Sequence, residues 1–236
     1  MPHHPAPEAN VKGACAGCAV RSARRARLPV MQPTVDVSWD LIVRWLAEHR
    51  DPELIEMEWF TTPATEADID AVAAEIGQPL PDDVVAWWRL AGGGLDPEST
   101  VYLLPPGQLP LGPAAAIRVR TKCRELMYHE VNPEADATGP AGSDAQVFGS
   151  RFVPVAWDHG HTNLFVDLRP GPQHGCVMRW DDETAVHGGP LWPSVTAMLA
   201  DTARALTDGT PALAGRHDCV PEIDEEFMSW DRAEPA

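Results

Sequence analysis

Apolar positions recur at helical spacing from about residue 38 to residue 131 and alternate from 152 to 182, so the chain reads as a helical half followed by a β-meander. Ser38 is placed to cap a first helix whose Leu41, Ile42, Trp45 and Leu46 form one stripe, and Asp51-Pro52 ends it. Thr65 opens a second helix, with Glu66 and Asp68 near the positive end of its dipole. Ile69, Val72, Ala73 and Ile76 share one face of it, and Gly77 is its stop. Pro81, Asp82 and Asp83 start a third, which buries Val84, Trp87, Trp88 and Ala91 and must break at Gly92-Gly93-Gly94. Residues 101–104 predict a short strand. Pro113 opens a longer helix to about Val131, with Ile117, Val119, Cys123, Leu126 and Met127 on its apolar side. Residues 132–145 are rich in Ala, Gly, Asp and Pro and predict a mobile loop. Pro193 and Ser194 start a last helix lined by Val195, Met198, Leu199, Thr202 and Leu206 and closed by Asp208-Gly209.

The alternating stretch divides into three strands. Val153, Val155 and Trp157 form the first period-2 set, Leu164, Val166 and Leu168 the second, and Cys176, Met178 and Trp180 the third. Asp158-His159-Gly160 and Arg169-Pro170-Gly171-Pro172 are turn residues where the alternation stops. This predicts one buried face and a wetter face carrying Phe165, Asp167 and Arg179, with Asp167 and Arg179 as a cross-strand pair. The expected fold class is α+β, with helices packed on one side of a mixed, mostly antiparallel sheet over residues 35–209. Residues 1–34 form a basic tail and 210–236 an acidic one, both expected to be disordered. Phe227, Met228 and Trp230 in the acidic tail read as a strap folding back on the body, or else as a short linear motif for a partner.

Charge sharpens this picture. Of the net −17, the first 30 residues carry +4 (Lys12, Arg21, Arg24, Arg25 and Arg27 against Glu8), which leaves −21 on the remainder. A body this acidic repels phosphates and membrane surfaces and attracts a basic protein partner, although solubility alone accounts for it equally well. Arg118, Arg120, Lys122 and Arg124 are the one basic cluster of the body. On a helix with an apolar side they read as its solvated face rather than as a nucleic-acid footprint. No run of about 18 apolar residues is present. Five scattered cysteines fit reduced thiols in a cytoplasm.

The residues that could support chemistry do not assemble into a familiar site. Cys15-Ala-Gly-Cys18 with His3 and His4 invites a zinc reading, but no second knuckle follows at the required spacing. The triple glycine follows a helix instead of preceding one, so it is a helix stop and not a phosphate cradle. Asp158, His159 and His161, with Asp167 and His174 nearby in sequence, could bind a divalent metal and activate water. The turn residues around the H-x-H pair argue against that. No catalytic residue, metal or cofactor is therefore expected.

Two blocks carry a family resemblance. One is Ile76-Gly77-Gln78-Pro79-Leu80-Pro81-Asp82-Asp83 followed by Trp87, Trp88 and Gly93-Gly94. The other comprises Pro154, Ala156, Asp158, Gly160, Asn163, Asp167, Leu168, Pro170, Gly171, Gly175, Val177 and Trp180. In this order and spacing, over roughly residues 60–185, they resemble the SUKH superfamily of bacterial immunity proteins and fungal Smi–Knr cell-wall assembly regulators. Ile76, Gly92 and His161 depart from the family pattern. The resemblance implies a non-catalytic domain that binds another protein, as the immunity partner of a toxin. An acidic face could then occupy the basic phosphate site of a nuclease toxin. The expected contacts are Asp158, His161, Asn163, Asp167, Trp180, Asp181 and Asp182. A regulatory scaffold recruiting partners through its ends, and a metal-dependent hydrolase using Asp158, His159 and His161, are the alternatives.

Overall fold

A computed structural model describes residues 32–49, 57–95, 101–126, 136–223 and 228–233. Helices α2 (Glu66–Ile76) and α5 (Val195–Asp208) form where their caps dictate. Thr65 closes a full capping box with Asp68 at the start of α2, and Gly77 ends it at φ 76°. Helix α3 (Asp82–Ala91) follows Pro81, and Ser194 caps α5, which Gly209 ends at φ 65°. Helix α1 (Val35–His49) differs from expectation. It begins three residues before Ser38, with the Ser38 N–H already bonded to Thr34 O, so Ser38 lies inside the helix and is buried.

The triple glycine does more than stop α3. Gly92 keeps a helical φ of −61°, so left-handed freedom is not what is required there. A Cβ on Gly93 would stand 2.1 Å from Pro63 O, and one on Gly112 would stand 2.0 Å from Gly92 O. Three stretches of backbone meet in this corner at distances only glycine allows. Residues 101–104 do not form the expected strand. Val101 bridges Met228 in parallel and Leu104 bridges Gln108.

The sheet is antiparallel, in the order β1 (Leu109–Pro110), β2 (Phe152–Trp157), β3 (Thr162–Asp167) and β4 (Cys176–Asp181). Its two faces are both covered. Val153, Val155, Leu164, Val166 and Val177 join a core with α1, α3 and α5. Phe152, Phe165, Met178 and Trp180 join a second core under helix α4 (Pro113–Leu126) and Phe148. Helices thus lie on both sides of the sheet; of the predicted wet face, Phe165 and Asp167 are buried on the α4 side, and Arg179, paired with Leu164, points to the other side and stays part-exposed.

The three period-2 sets do not share a face either. The register pairs Phe165 with Met178 and Leu164 with Arg179, which puts Cys176, Met178 and Trp180 on the α4 side. A bulge between Pro154 and Ala156 adds one residue to β2, so Trp157 pairs with Asn163 on that same side, away from Val153 and Val155.

The expected C-terminal disorder gives way, over the described residues, to a hairpin of β5 (Cys219–Ile223) and β6 (Met228–Arg232). Met228 is fully buried, and Trp230 Nε1 donates to Leu103 O at 3.2 Å. This is the strap reading for Met228 and Trp230; Phe227 lies outside the described residues. The predicted mobile loop is likewise fastened over residues 136–145, where Asp136 accepts from Ser150 N and the carbonyls of Thr138 and Ser143 accept from Arg169.

Candidate functional site

The β2–β3 turn is built by one carboxylate. Asp158 Oδ1 accepts from Gly160 N (2.8 Å) and Thr162 N (3.0 Å), and Oδ2 accepts from Thr162 Oγ1 (2.6 Å). Bonding its own backbone ahead is what makes aspartate a turn former. Buried Gln108 donates to the same Thr162 hydroxyl at 2.8 Å, tying the turn to β1. The turn drives His159 to φ 61° and leaves His161 at the surface, its side chain 75% exposed.

The end of β4 closes against this turn. Asp182 N donates to His161 O at 2.9 Å, Asp182 Oδ1 accepts from Trp180 Nε1 at 2.9 Å, and Oδ2 lies 3.8 Å from His161 Nδ1. Asp181 caps the following turn by accepting from Glu183 N and Thr184 N, with Arg179 at 3.6 Å. Burial alone would raise its pKa. The N–H groups of Thr184 and Glu183 and the Arg179 charge outweigh it and hold the carboxyl below its ordinary range.

On the α4 side of this end, Trp157, Asn163 and Trp180 stand in one row across three strands. Lys122 from α4 places its ammonium 4.5 Å from the centre of the Trp157 ring, and His159 packs on the same indole at 4.9 Å. Asn163 Nδ2 donates to Cys123 Sγ at 3.3 Å, while Asn163 Oδ1 is buried without a partner. Burial, reinforced by the Asp182 charge, pushes the Cys123 thiol up to about 12.

Of the residues expected to contact a partner, Asp158, His161, Asp181 and Asp182 gather at this end of the sheet. Asn163 and Trp180 belong to it but are buried, at 2% and 1% exposure, and act from beneath. Asp167 lies at the opposite end of β3 and is fully buried, so it is not a surface contact. Its partner is also not the one expected: it faces Cys176 across the ladder and pairs with Arg169 at 2.7 Å, while Arg179 faces Leu164. Trp157, Lys122 and Gln108 were missed. The bulge hides Trp157 from a period-2 reading, and nothing in the local spacing joins Lys122 to a residue 35 positions later.

The metal reading does not assemble. His159 turns to Trp157, His161 to Asp182, and His174 Nδ1 to Arg169 O at 3.1 Å. Among the described residues no three His, Cys, Asp or Glu side chains are placed to hold a metal ion. His3, His4, Cys15 and Cys18 lie outside the described residues.

The two sequence blocks that carry the resemblance touch in space: Gln78 Nε2 of the first donates to Leu168 O of the second at 3.0 Å. The model of the SMI1 / KNR4 family (SUKH-1) matches residues 63–201. The chain belongs to this family. No curated protein matches it. The matched segment holds all four strands of the main sheet, helices α2 to α4 and the first half of α5, whereas α1 and the β5–β6 hairpin flank it. Membership in the SUKH family is consistent with a protein-binding domain, and members of the family are generally non-catalytic. No helix among the described residues is long and apolar enough to cross a membrane.

Proposed function

We propose that this SUKH domain is an immunity protein that neutralises a basic, nucleic-acid-cleaving toxin by covering the site where the toxin holds phosphate. Family membership over residues 63–201 is the observation that carries this reading, and the charge of −21 outside the first 30 residues gives it a mechanism. Opposite charge steers encounter and rejects partners of the wrong sign. The contacts are assigned to the turn and the end of β4, where His161, Asp182 and Glu183 stand at the surface on a frame fixed by Asp158, Thr162 and Trp180.

The test is capture of partners by the tagged full-length protein at low salt from the cells it comes from, followed by co-expression of the captured protein in a sensitive host. One basic protein, released at high salt and lethal unless this chain is co-expressed, is the expected outcome. Capture of no partner, or of one whose expression is harmless, sinks the proposal. Asp182→Asn with Glu183→Gln then weakens capture if this end of the sheet is the contact.

A further inference from the structure

The end of the sheet already holds a cation on an aromatic face, and that cation is the protein's own. Lys122 sits over Trp157 from an exposed position on α4, a contact that water and salt readily compete with. One neighbour is left unmatched. The Asp182 carboxylate has the Trp180 N–H and the imidazole of His161 as neighbours, but no lysine or arginine ion pair among the described residues.

A flat aromatic surface beside a carboxylate that lacks a lysine or arginine partner suits a guanidinium better than an ammonium. Guanidinium is planar, stacks on indole, is weakly hydrated and carries five donors, whereas ammonium is compact and strongly hydrated. We propose that an arginine of the protein partner displaces Lys122 from the Trp157 ring and stacks in its place, with Asp182 as the counter-charge. Lys122 is then a placeholder that keeps the ring covered until the partner arrives and sets a threshold against weaker cations. This rests on the reading of the chain as a binder of a basic protein and names the side chain that anchors the complex.

The experiment uses the full-length protein with a tri-arginine peptide, and a tri-lysine peptide as control, at low salt, with affinity from calorimetry and the Trp157 indole N–H followed by NMR. The tri-arginine peptide is expected to bind the tighter and to shift the Trp157 signal. Trp157→Leu should weaken binding about threefold to tenfold, Trp157→Phe should retain most of it, and Lys122→Ala should strengthen it severalfold. Equal affinity for the two peptides, or indifference to Lys122→Ala, overturns the proposal and leaves only diffuse attraction to an acidic surface. Should Trp157→Leu fail to fold, Lys122→Ala and Asp182→Asn, both at the surface, decide the matter. If a lethal basic partner is captured equally well by wild type, Lys122→Ala and Asp182→Asn, this anchor falls while the immunity reading stands. An arginine preference that depends on Trp157 supports the anchor even where no toxin is found.

Discussion

Asp167 and Arg169, two residues apart, close an ion pair at 2.7 Å with side chains 0% and 3% exposed. The pair is fully furnished. Asp167 also accepts from Gly142 N and Arg169 N, and Arg169 donates to Thr138 O and Ser143 O and lies over the Phe152 ring. It therefore fastens the 136–145 loop to the end of β3. Removing one partner strands a buried charge, so Asp167→Asn or Arg169→Met should each cost about 3–5 kcal/mol in urea unfolding. The double variant should lose less than the sum of the two, because the stranded charge is gone. A wild-type midpoint for either single variant contradicts this account.

Asp83 does at a distance what an N-cap does locally. It accepts from Thr196 N (2.9 Å) and Thr196 Oγ1 (3.3 Å) in the first turn of α5, 113 residues away, while Ser194 caps Ala197 N. Asp83→Ala should cost about 1–2 kcal/mol, the upper range for a lost cap. Asp82→Ala, at an exposed neighbouring position, should lie within about 0.5 kcal/mol of wild type. Thermal melts of the two variants side by side give the comparison.

The helices were legible where a capping side chain sits beside its stripe, as at Thr65 and Ser194, because those bonds are local. Ser38 misled because a serine that looks like a cap lies inside a helix that begins at Val35, its N–H already bonded to Thr34 O. The three strands and their turns were legible from alternation, but their faces were not. One inserted residue near Val155 reverses Trp157, and α4 buries the face of Phe165 and Asp167 that was read as wet, while Arg179, read onto the same face, belongs to the other. In the candidate site, the Asp158 turn could be read from its own sequence. The union of Lys122, Trp157, Asn163 and Asp182 could not, since it depends on how a helix crosses a sheet.

The C-terminal hairpin lies outside the family-matched segment yet completes the core. Met228 is buried without exposure, its carbonyl accepts from Tyr102 N at 3.0 Å, and Cys219 is buried beside Ala212. Met228→Ala should cost about 2–5 kcal/mol, as for other large-to-small core changes. Ending the chain after Gly209 should expose this seam and give increased binding of a hydrophobic dye at neutral pH. A truncated chain with native stability and no added dye binding shows the hairpin to be an ornament.

Burial raises the thiols of Cys123 and Cys176 to about 12 and that of Cys219 to about 11, with neighbouring carboxylates adding to it, and all three are unpaired in the fold. A thiol whose folded pKa exceeds its unfolded one favours the native state most at pH below the unfolded value, near 9. That contribution declines as pH rises toward 11–12, because the unfolded chain ionises first. Stability measured by denaturant should accordingly fall between about pH 9 and 12, and replacing the three thiols with alanine should flatten that fall. With Cys15→Ser and Cys18→Ser in place, the native protein should react negligibly with a thiol reagent at pH 8 and yield three thiols once denatured. Prompt labelling of the native protein instead would place at least one of these cysteines within reach of solvent.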